Sequence, residues 1–457
     1  MDVSRHILIP DQEPFPLPVT EIPWSASDDL LLLLAQQPWG VCLDSGGEET
    51  DARARWSFLC LDPDETLTAR GKTFLRNGRT VQGDLWWHLR DMARLASQSS
   101  WQTAASAIPF TGGIVGLFSY EAGLALEQIS SRHIPAAPTL LAASFSTVLA
   151  FDRLERRCWW ICGEEKPAPA IPLRGHALSG PSVRFQPDQS RDAWMEAVRQ
   201  VRAFIAAGDI FQANLTMRWT APCPPDFDEL TAYQTLRMCS PAPFGAYFRT
   251  PDFSLLSASV ERFISLSAPG RIETRPIKGT APLGQTAMEQ ARNAALLAAD
   301  DKELAENLMI TDLMRNDIGR VSCLDSVTVP QLSTVERFAH VLHLVSSVEG
   351  QLRPGLDAFD LLRATLPPGS VTGAPKKRAM EIIDQLEASS RGAYCGSLFR
   401  IGHDGAMDSS VIIRSLERQG KRLSIGAGGG ITWLSDPARE YDEMCLKAAP
   451  LLKVFGS

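Results

Sequence analysis

Apolar positions fall into two rhythms along this chain. Through residues 1–160 they come as short runs cut by turn-forming stretches such as Asp44-Ser45-Gly46-Gly47 and Thr111-Gly112-Gly113. Such runs between glycine-rich turns predict strands more than long helices. From Ser190 the rhythm changes. Trp194, Val198, Val201 and Ile205 recur at helical spacing and predict a helix to about Ala207 with one buried face. Between the two regimes, 164–189 is rich in Pro, Gly and Ser and reads as a surface connection. The chain thus divides into an N-terminal lobe (1–163), this connection (164–189) and a C-terminal lobe (190–457) expected to carry the chemistry.

The C-terminal lobe has the clearer pattern. Leu255–Ser267 and Ile272–Gly279 predict two strands joined at Pro269-Gly270. A two-residue hairpin loop there would set Glu261 directly opposite Lys278. Asp301–Asn316 predicts a helix with Glu303 and Glu306 on one face. A short apolar helix over Phe359–Leu366 is ended by Pro367-Pro368-Gly369. Another starts near Pro375 and turns Ala379, Ile382, Ile383 and Leu386 inward. Three strands are predicted at Tyr394–Ile401, Met407–Glu417 and Arg422–Ile431. Ser435-Asp436-Pro437 then caps a final helix that carries Glu440 and Glu443 together.

Composition narrows the classes. With 457 residues there is ample chain for a large core, and 44% hydrophobic with 21% charged residues is an ordinary globular balance. A net charge of −8 with no basic block argues against a nucleic-acid partner. A membrane helix needs about 20 apolar residues, and the run Leu30–Ala35 is soon followed by Pro38. No signal-peptide pattern opens the sequence, so a cytoplasmic location is expected. The nine cysteines form no Cys-x-x-Cys motif, which suits buried thiols in a reducing compartment better than zinc or disulfides.

Several residues are candidates for chemistry. Glu303/Glu306 and Glu440/Glu443 offer the oxygen donors that a hard divalent cation such as magnesium takes, although one Glu-x-x-Glu pair is more often a solvated helix face. Gly426-Ala-Gly428-Gly429-Gly430 offers backbone N–H groups to an anion or is a structural turn; Ile431 stands where a dinucleotide fingerprint needs its third glycine. Gly369–Lys376 lacks the P-loop spacing, but its helix start suits an anion. Arg414, inside Val411-Ile-Ile-Arg-Ser, wants a carboxylate or phosphate partner, from a substrate or from the protein. His343, near His340 and apolar on both sides, fits a core histidine as well as a proton carrier. Lys278, between Ile277 and Gly279, is a surface charge unless the strand end holds it at a site.

Five ordered motifs, Gly208-Asp-Ile-Phe-Gln212-Ala-Asn-Leu, Thr274-Arg-Pro-Ile-Lys-Gly-Thr280, Glu306-Asn-Leu-Met-Ile-Thr-Asp-Leu-Met-Arg-Asn-Asp317, Gly369-Ser-Val-Thr-Gly-Ala-Pro-Lys376 and Gly426-Ala-Gly-Gly-Gly-Ile431, resemble those of the chorismate-utilising enzymes. That family includes anthranilate, aminodeoxychorismate, isochorismate and salicylate synthases. The match is dense over about residues 200–450 and loose over the first 150. It implies an α+β fold in which two packed β-sheets form a sandwich flanked by helices, with the site between them. It implies Mg2+ held by Glu306 and Glu443, with Glu303 and Glu440 acting through water. One chorismate carboxylate would lie on the ion. Arg414 and the Gly428, Gly429 and Gly430 amides would take the other, and Thr280 and Gln212 would also touch the substrate.

Two positions discriminate within the family. Gln212 stands where the water-using members carry lysine, and Lys278 where anthranilate-forming members typically carry alanine. With Asn214, this resembles the branch that converts chorismate and ammonia to 4-amino-4-deoxychorismate for p-aminobenzoate and folate. There Lys278 is the proposed nucleophile and Glu261 the acid, with His343 in a minor proton-handling role. Ser259-Val260-Glu261 departs from the family's Ser-Pro-Glu, and Ser240-Pro241 from its Asn-Pro. No Gly-x-Cys-x-Gly nucleophile is present, so ammonia is expected from a separate glutaminase subunit. Relatives bind L-tryptophan in the N-terminal half, which here points to Ser45, Arg55, Trp56, Pro243 and Phe244. Anthranilate formation is the rival activity. A non-catalytic tryptophan sensor is the rival of another class, and the intact glutamates with Lys278 speak against it.

Overall fold

Two long β-segments change sheets part-way, and that crossing organises the molecule. In the computed structural model, which describes residues 19–24, 31–35, 37–46, 52–97, 107–135, 137–162, 167–169, 183–337 and 341–455, Phe253–Ser259 pairs with Ser415–Gln419 in one twelve-stranded sheet. The continuations, Arg262–Leu266 and Met407–Val411, pair with each other in a second twelve-stranded sheet. The single strands expected over Leu255–Ser267 and Met407–Glu417 are therefore each two strands. They are broken at Val260-Glu261 and at Ile412–Arg414. The breaks satisfy each other's backbone groups: Ala258 N–H donates to Arg414 O (3.1 Å) and Val411 N–H to Glu261 O (3.1 Å). Arg414 takes a left-handed φ of 50° to make its turn.

The first sheet runs from Val19–Ile22 at one edge, through Gly40–Asp44 and Phe244–Arg249, to Arg422–Ile431 and Gln212–Pro222 near the other. The second runs from Ile277–Pro282 and Val341–Gln351, through Ser397–Gly402 and Gly113–Phe118, to Arg79–Val81. Gly40–Asp44 pairs with Phe244–Arg249, and Gly113–Phe118 pairs with Ser397–Gly402. Strands from both sides of 164–189 are thus woven into both sheets. Most of that segment, together with His340 and Gly47, lies outside the described residues. Val41, Phe248, Phe253 and Leu255 of one sheet meet Val115, Leu117 and Leu141 of the other in a shared apolar core. The fold is the expected α+β sandwich of two antiparallel sheets flanked by helices.

The helices follow the apolar pattern closely. Arg191–Ala206 is capped by Ser190 Oγ, which accepts from Ala193 N–H, and buries Trp194, Val198 and Val201. Asp301–Gly319 is capped by Asp300. In Pro437–Phe455 the Asp436 carboxylate accepts the Ala438 and Arg439 amides. The hairpin at Pro269-Gly270 differs from the expected one. Ser265 pairs with Glu273 and Leu266 with Ile272, a one-residue shift that leaves three residues in the loop. The second strand also ends at Thr274. Pro276 has no N–H for the ladder, and Ile277–Pro282 pairs instead with Val341–Gln351, with Lys278 opposite Leu344. Glu261 and Lys278 are therefore not cross-strand neighbours.

A buried ionic network ties these pieces together behind the cleft. Arg391 donates to both carboxylate oxygens of Glu387 (2.9 and 2.6 Å) and to the carbonyls of Val371 (2.7 Å) and Asn214 (2.6 Å). Arg218 donates to Glu417 Oε1 (3.2 Å) and Ser424 Oγ (2.7 Å), while Glu417 also accepts the amides of Ala393 and Tyr394. All four side chains are buried. Removing one charge of such a pair strands the other. Arg391→Met is expected to cost about 3–5 kcal/mol of stability in urea unfolding, whereas breaking the exposed Arg199–Glu196 pair should leave the urea midpoint nearly unchanged.

Candidate active site

The cleft begins where the strand Arg422–Ile431 loses a neighbour. It pairs with Gln212–Pro222 along its whole length, but with Ser415–Gln419 only from Arg422 to Ile425. Beyond that point the neighbouring chain turns away at Arg414 towards the other sheet. Among the described residues no strand covers that edge of Gly426–Ile431. The glycines there keep the surface flat. A Cβ on Gly430 would stand 2.2 Å from Gln212 Nε2, and one on Gly429 would meet Lys447 Nζ and Glu440 Oε2 at 3.6 and 3.7 Å.

Two helices aim their carboxylates at this edge. Glu306, on Asp301–Gly319, is 8% exposed, and its Oε2 lies 3.5 Å from the Cβ position of Gly430. Glu440, on Pro437–Phe455, is 7% exposed and accepts from Ser435 Oγ (2.7 Å). Glu303 reaches the bulge at Gly279, where its Oε2 would sit 3.2 Å from a Cβ and φ is +66°. Burial, then the charge of Glu306, pushes its carboxyl up. Glu443 stands at the rim, 55% exposed and 2.8 Å from Lys447 Nζ. Partial burial opposes ionisation there, but Lys447, Lys302 and Lys278 hold its carboxyl below the usual range.

Lysines are interleaved with these acids. Lys278 Nζ lies 3.6 Å from Glu306 Oε2, while Lys302 Nζ lies 3.4 Å from Glu440 Oε1 and 3.9 Å from Glu306 Oε1. Among the described residues no three acidic, histidine or cysteine side chains converge closely enough to hold a metal by themselves. The donor set nevertheless suits a hard cation. It is all carboxylate oxygen, and an ammonium already bridges Glu306 and Glu440. The sequence reading missed Lys302 and Lys447, whose Nζ also donates to Gly428 O (3.3 Å). Their only sequence signal is the four-residue spacing from Glu306 and Glu443.

Glu261 sits at the sheet crossing on the other wall. Burial pushes its carboxyl up, against Ser370 and the Lys278 charge, which both favour ionisation. Lys278 and Glu261 are thus close enough for the lysine's charge to reach the carboxyl without facing each other across a hairpin. His343 is opposite Thr280 in the ladder. Its Nδ1 lies 3.1 Å from Gly279 O and 3.1 Å from Thr280 Oγ1. Donation to that carbonyl makes Nε2 the basic nitrogen. Burial first, then the charges of Arg414 and Arg53, lowers the imidazole pKa despite the Gly279 bond. Arg414 is not inside a strand as expected. It stands at the break as an exposed residue whose charge reaches His343, and desolvation lowers its own pKa.

A separate cavity of about 250 Å³ lies between the sheets, lined by Asp44, Ser45, Arg53, Trp56, Pro243 and Phe244 among others. Ser45 Oγ donates to Trp56 O (2.5 Å) and Pro243 O (3.2 Å). Burial pushes Asp44 up to about 6. Four of the five residues singled out for tryptophan are here. Arg55 is not on the wall; it pairs with Asp152 at 2.5 Å, and Arg53 lines the cavity instead.

Comparison with known proteins agrees with this geometry. The family model described as chorismate binding enzyme matches residues 41–453. The chain is 38% identical to aminodeoxychorismate synthase component 1 of Klebsiella aerogenes, over 95% of this chain and 98% of that protein. It is 36% identical to anthranilate synthase component 1 of Thermus thermophilus, over 93% of each. Among solved structures, anthranilate synthase component I from Streptococcus pneumoniae superposes with a TM-score of 0.75 at 30% identity, covering 87% of this chain and 92% of that one. The menaquinone-specific isochorismate synthase from Escherichia coli shares the fold at a TM-score of 0.69 and 18% identity. With the motif order, the sandwich and the carboxylate-lined cleft in agreement, the chain belongs to the chorismate-binding enzyme family.

Proposed function

We propose that this chain is the synthase component of an aminodeoxychorismate synthase, converting chorismate and ammonia to 4-amino-4-deoxychorismate. The observation that carries the reading is Lys278, whose amine stands 3.6 Å from Glu306 in the same cleft as the partly buried acid Glu261. Replacing the C4 hydroxyl with retained configuration needs two displacements. The Lys278 nitrogen bonds to C2 as the C4–O bond breaks, and Glu261 gives its proton to the departing hydroxyl, which leaves as water. Ammonia then bonds to C4 and expels the Lys278 nitrogen. Burial suits Glu261 to this part, because it keeps the carboxyl protonated to higher pH.

Glu306 and Glu443 are the residues assigned to Mg2+, with Glu303 and Glu440 acting through water. When bound, the ion supplies a positive centre for one substrate carboxylate. Arg414, Thr280, Gln212 and the open edge at Gly428, Gly429 and Gly430 bind and orient the rest of the substrate, and His343 assists proton handling through Nε2. Ammonia comes from a separate glutaminase subunit, in keeping with the designation "component 1" of the relatives. The cavity at Ser45, Trp56, Pro243 and Phe244 is assigned to L-tryptophan. Among the described residues no helix is long and apolar enough to cross a membrane.

Anthranilate synthase component 1 is the second reading, favoured by the 36% identical relative. One assay separates the two. The purified chain is incubated with chorismate, ammonium and magnesium. The expected product becomes p-aminobenzoate only after the lyase is added. Direct appearance of fluorescent anthranilate would refute the proposal, and an absence of turnover would favour the sensor. Glu261→Gln should lower kcat by about 10²–10⁴-fold, and Lys278→Ala should remove most turnover; an undiminished rate in the latter excludes the covalent step. The pH profile gives a further check. Because burial pushes the Glu261 carboxyl up and the acid acts when protonated, the alkaline limb of kcat should lie above the ordinary carboxylate range and disappear in Glu261→Gln. A limb that survives in Glu261→Gln would separate Glu261 from the acid role.

A further inference from the structure

Lys302 has no part in the reaction described above, yet it stands inside the carboxylate cage. Its Nζ touches Glu440 Oε1 at 3.4 Å and Glu306 Oε1 at 3.9 Å. Those carboxylates belong to different helices and both are buried. A single ammonium therefore joins the two inner walls of the proposed magnesium site. We propose that Lys302 is a built-in competitor for the divalent cation. Its ammonium holds Glu306 and Glu440 at bridging distance, and cation binding displaces it towards solvent.

The contacts have the character of a displaceable partner. Both exceed the roughly 2.7–2.9 Å of a tight charge-assisted hydrogen bond. The side chain is 34% exposed, so its flexible stem has a route out of the cage. Neither carboxylate is stranded when it leaves. Glu306 keeps Lys278 Nζ at 3.6 Å, and Glu440 keeps the hydrogen bond from Ser435 Oγ at 2.7 Å. By contrast, Lys376 is locked on Asp317, Thr365 O and Pro367 O, and is 7% exposed. That buried lysine has the geometry of a permanent strut, and Lys302 does not. An ammonium and a divalent cation repel each other strongly when they share the same oxygens. The apparent cation affinity is then reduced by the fraction of molecules in which Lys302 is seated.

The inference rests on the magnesium reading and is tested by binding alone. Full-length wild type, Lys302→Met, Lys302→Gln and Lys302→Arg are titrated with MgCl2 by calorimetry and with MnCl2 by electron paramagnetic resonance, without chorismate. Near-UV circular dichroism confirms the fold of each. The neutral variants should bind either cation about tenfold more tightly or better, a seating penalty removed, and Lys302→Arg should stay near wild type. In EDTA the neutral variants should melt below wild type and gain more in Tm on adding magnesium. Unchanged or weaker binding by folded Lys302→Met and Lys302→Gln overturns the competitor role while leaving the magnesium site in place. Failure of wild type and all variants to bind either cation overturns the magnesium reading and this inference together.

Discussion

Two arginine–glutamate pairs buried behind the cleft, Arg391 with Glu387 and Arg218 with Glu417, fix the relative position of almost everything in front of it. Arg391 holds the carbonyl of Asn214, two residues from Gln212, and the carbonyl of Val371, next to Ser370. Glu417 lies on the strand that turns away at Arg414, and Glu387 accepts both the amide and the hydroxyl of Thr216. Each ion is costly to bury, but each pair is also hydrogen-bonded to backbone from separate segments, with Arg218 Nε alone in these four side chains left without a partner among the described residues. The pairs thus register distant stretches of chain at a precision that apolar contact alone does not give. The backbone beside Gln212 and Ser370 is thereby held in place behind the cleft.

The cleft itself follows from a strand left half-paired. Because Ser415–Gln419 departs for the other sheet, the glycine stretch Gly426–Gly430 keeps one edge uncovered among the described residues, and the two helices place Glu306 and Glu440 against it. An uncovered edge is ordinarily a liability. Here it lies inside a cleft walled by acidic side chains, with lysines set among them. The same departure that uncovers the edge also makes the turn at Arg414, so the open edge and that guanidinium come from one structural event.

Much of this was legible in the sequence, and the failures share a cause. Glu303 with Glu306 and Glu440 with Glu443 were recognisable because helical spacing alone puts them on one face. The helix Arg191–Ala206 and its cap followed from local pattern. The sheet crossings did not, because Val260, Ile412 and Ile413 continue an apolar run and carry no turn chemistry; the break is imposed by two sheets competing for one segment. Pro276 was a visible signal against a continuous strand through Lys278. Lys302 and Lys447 looked like helix-surface charges, and only the neighbouring helix and strand turn them inward. Arg55 and Arg53 flank the end of a 3-10 turn, and which of them meets the cavity is decided by the pairing of Arg55 with Asp152.

The cavity between the sheets and the cleft adjoin at the peptide link between Glu261 and Arg262. Arg262 lines the cavity, pairing with Asp408 at 2.9 Å and lying over the Phe244 ring, while the residue before it is Glu261. The cavity wall and the acid's backbone are consequently one piece of chain. A substitution that shifts that wall therefore also shifts the backbone that carries Glu261, so the shape of the cavity and the placing of that carboxyl cannot change independently.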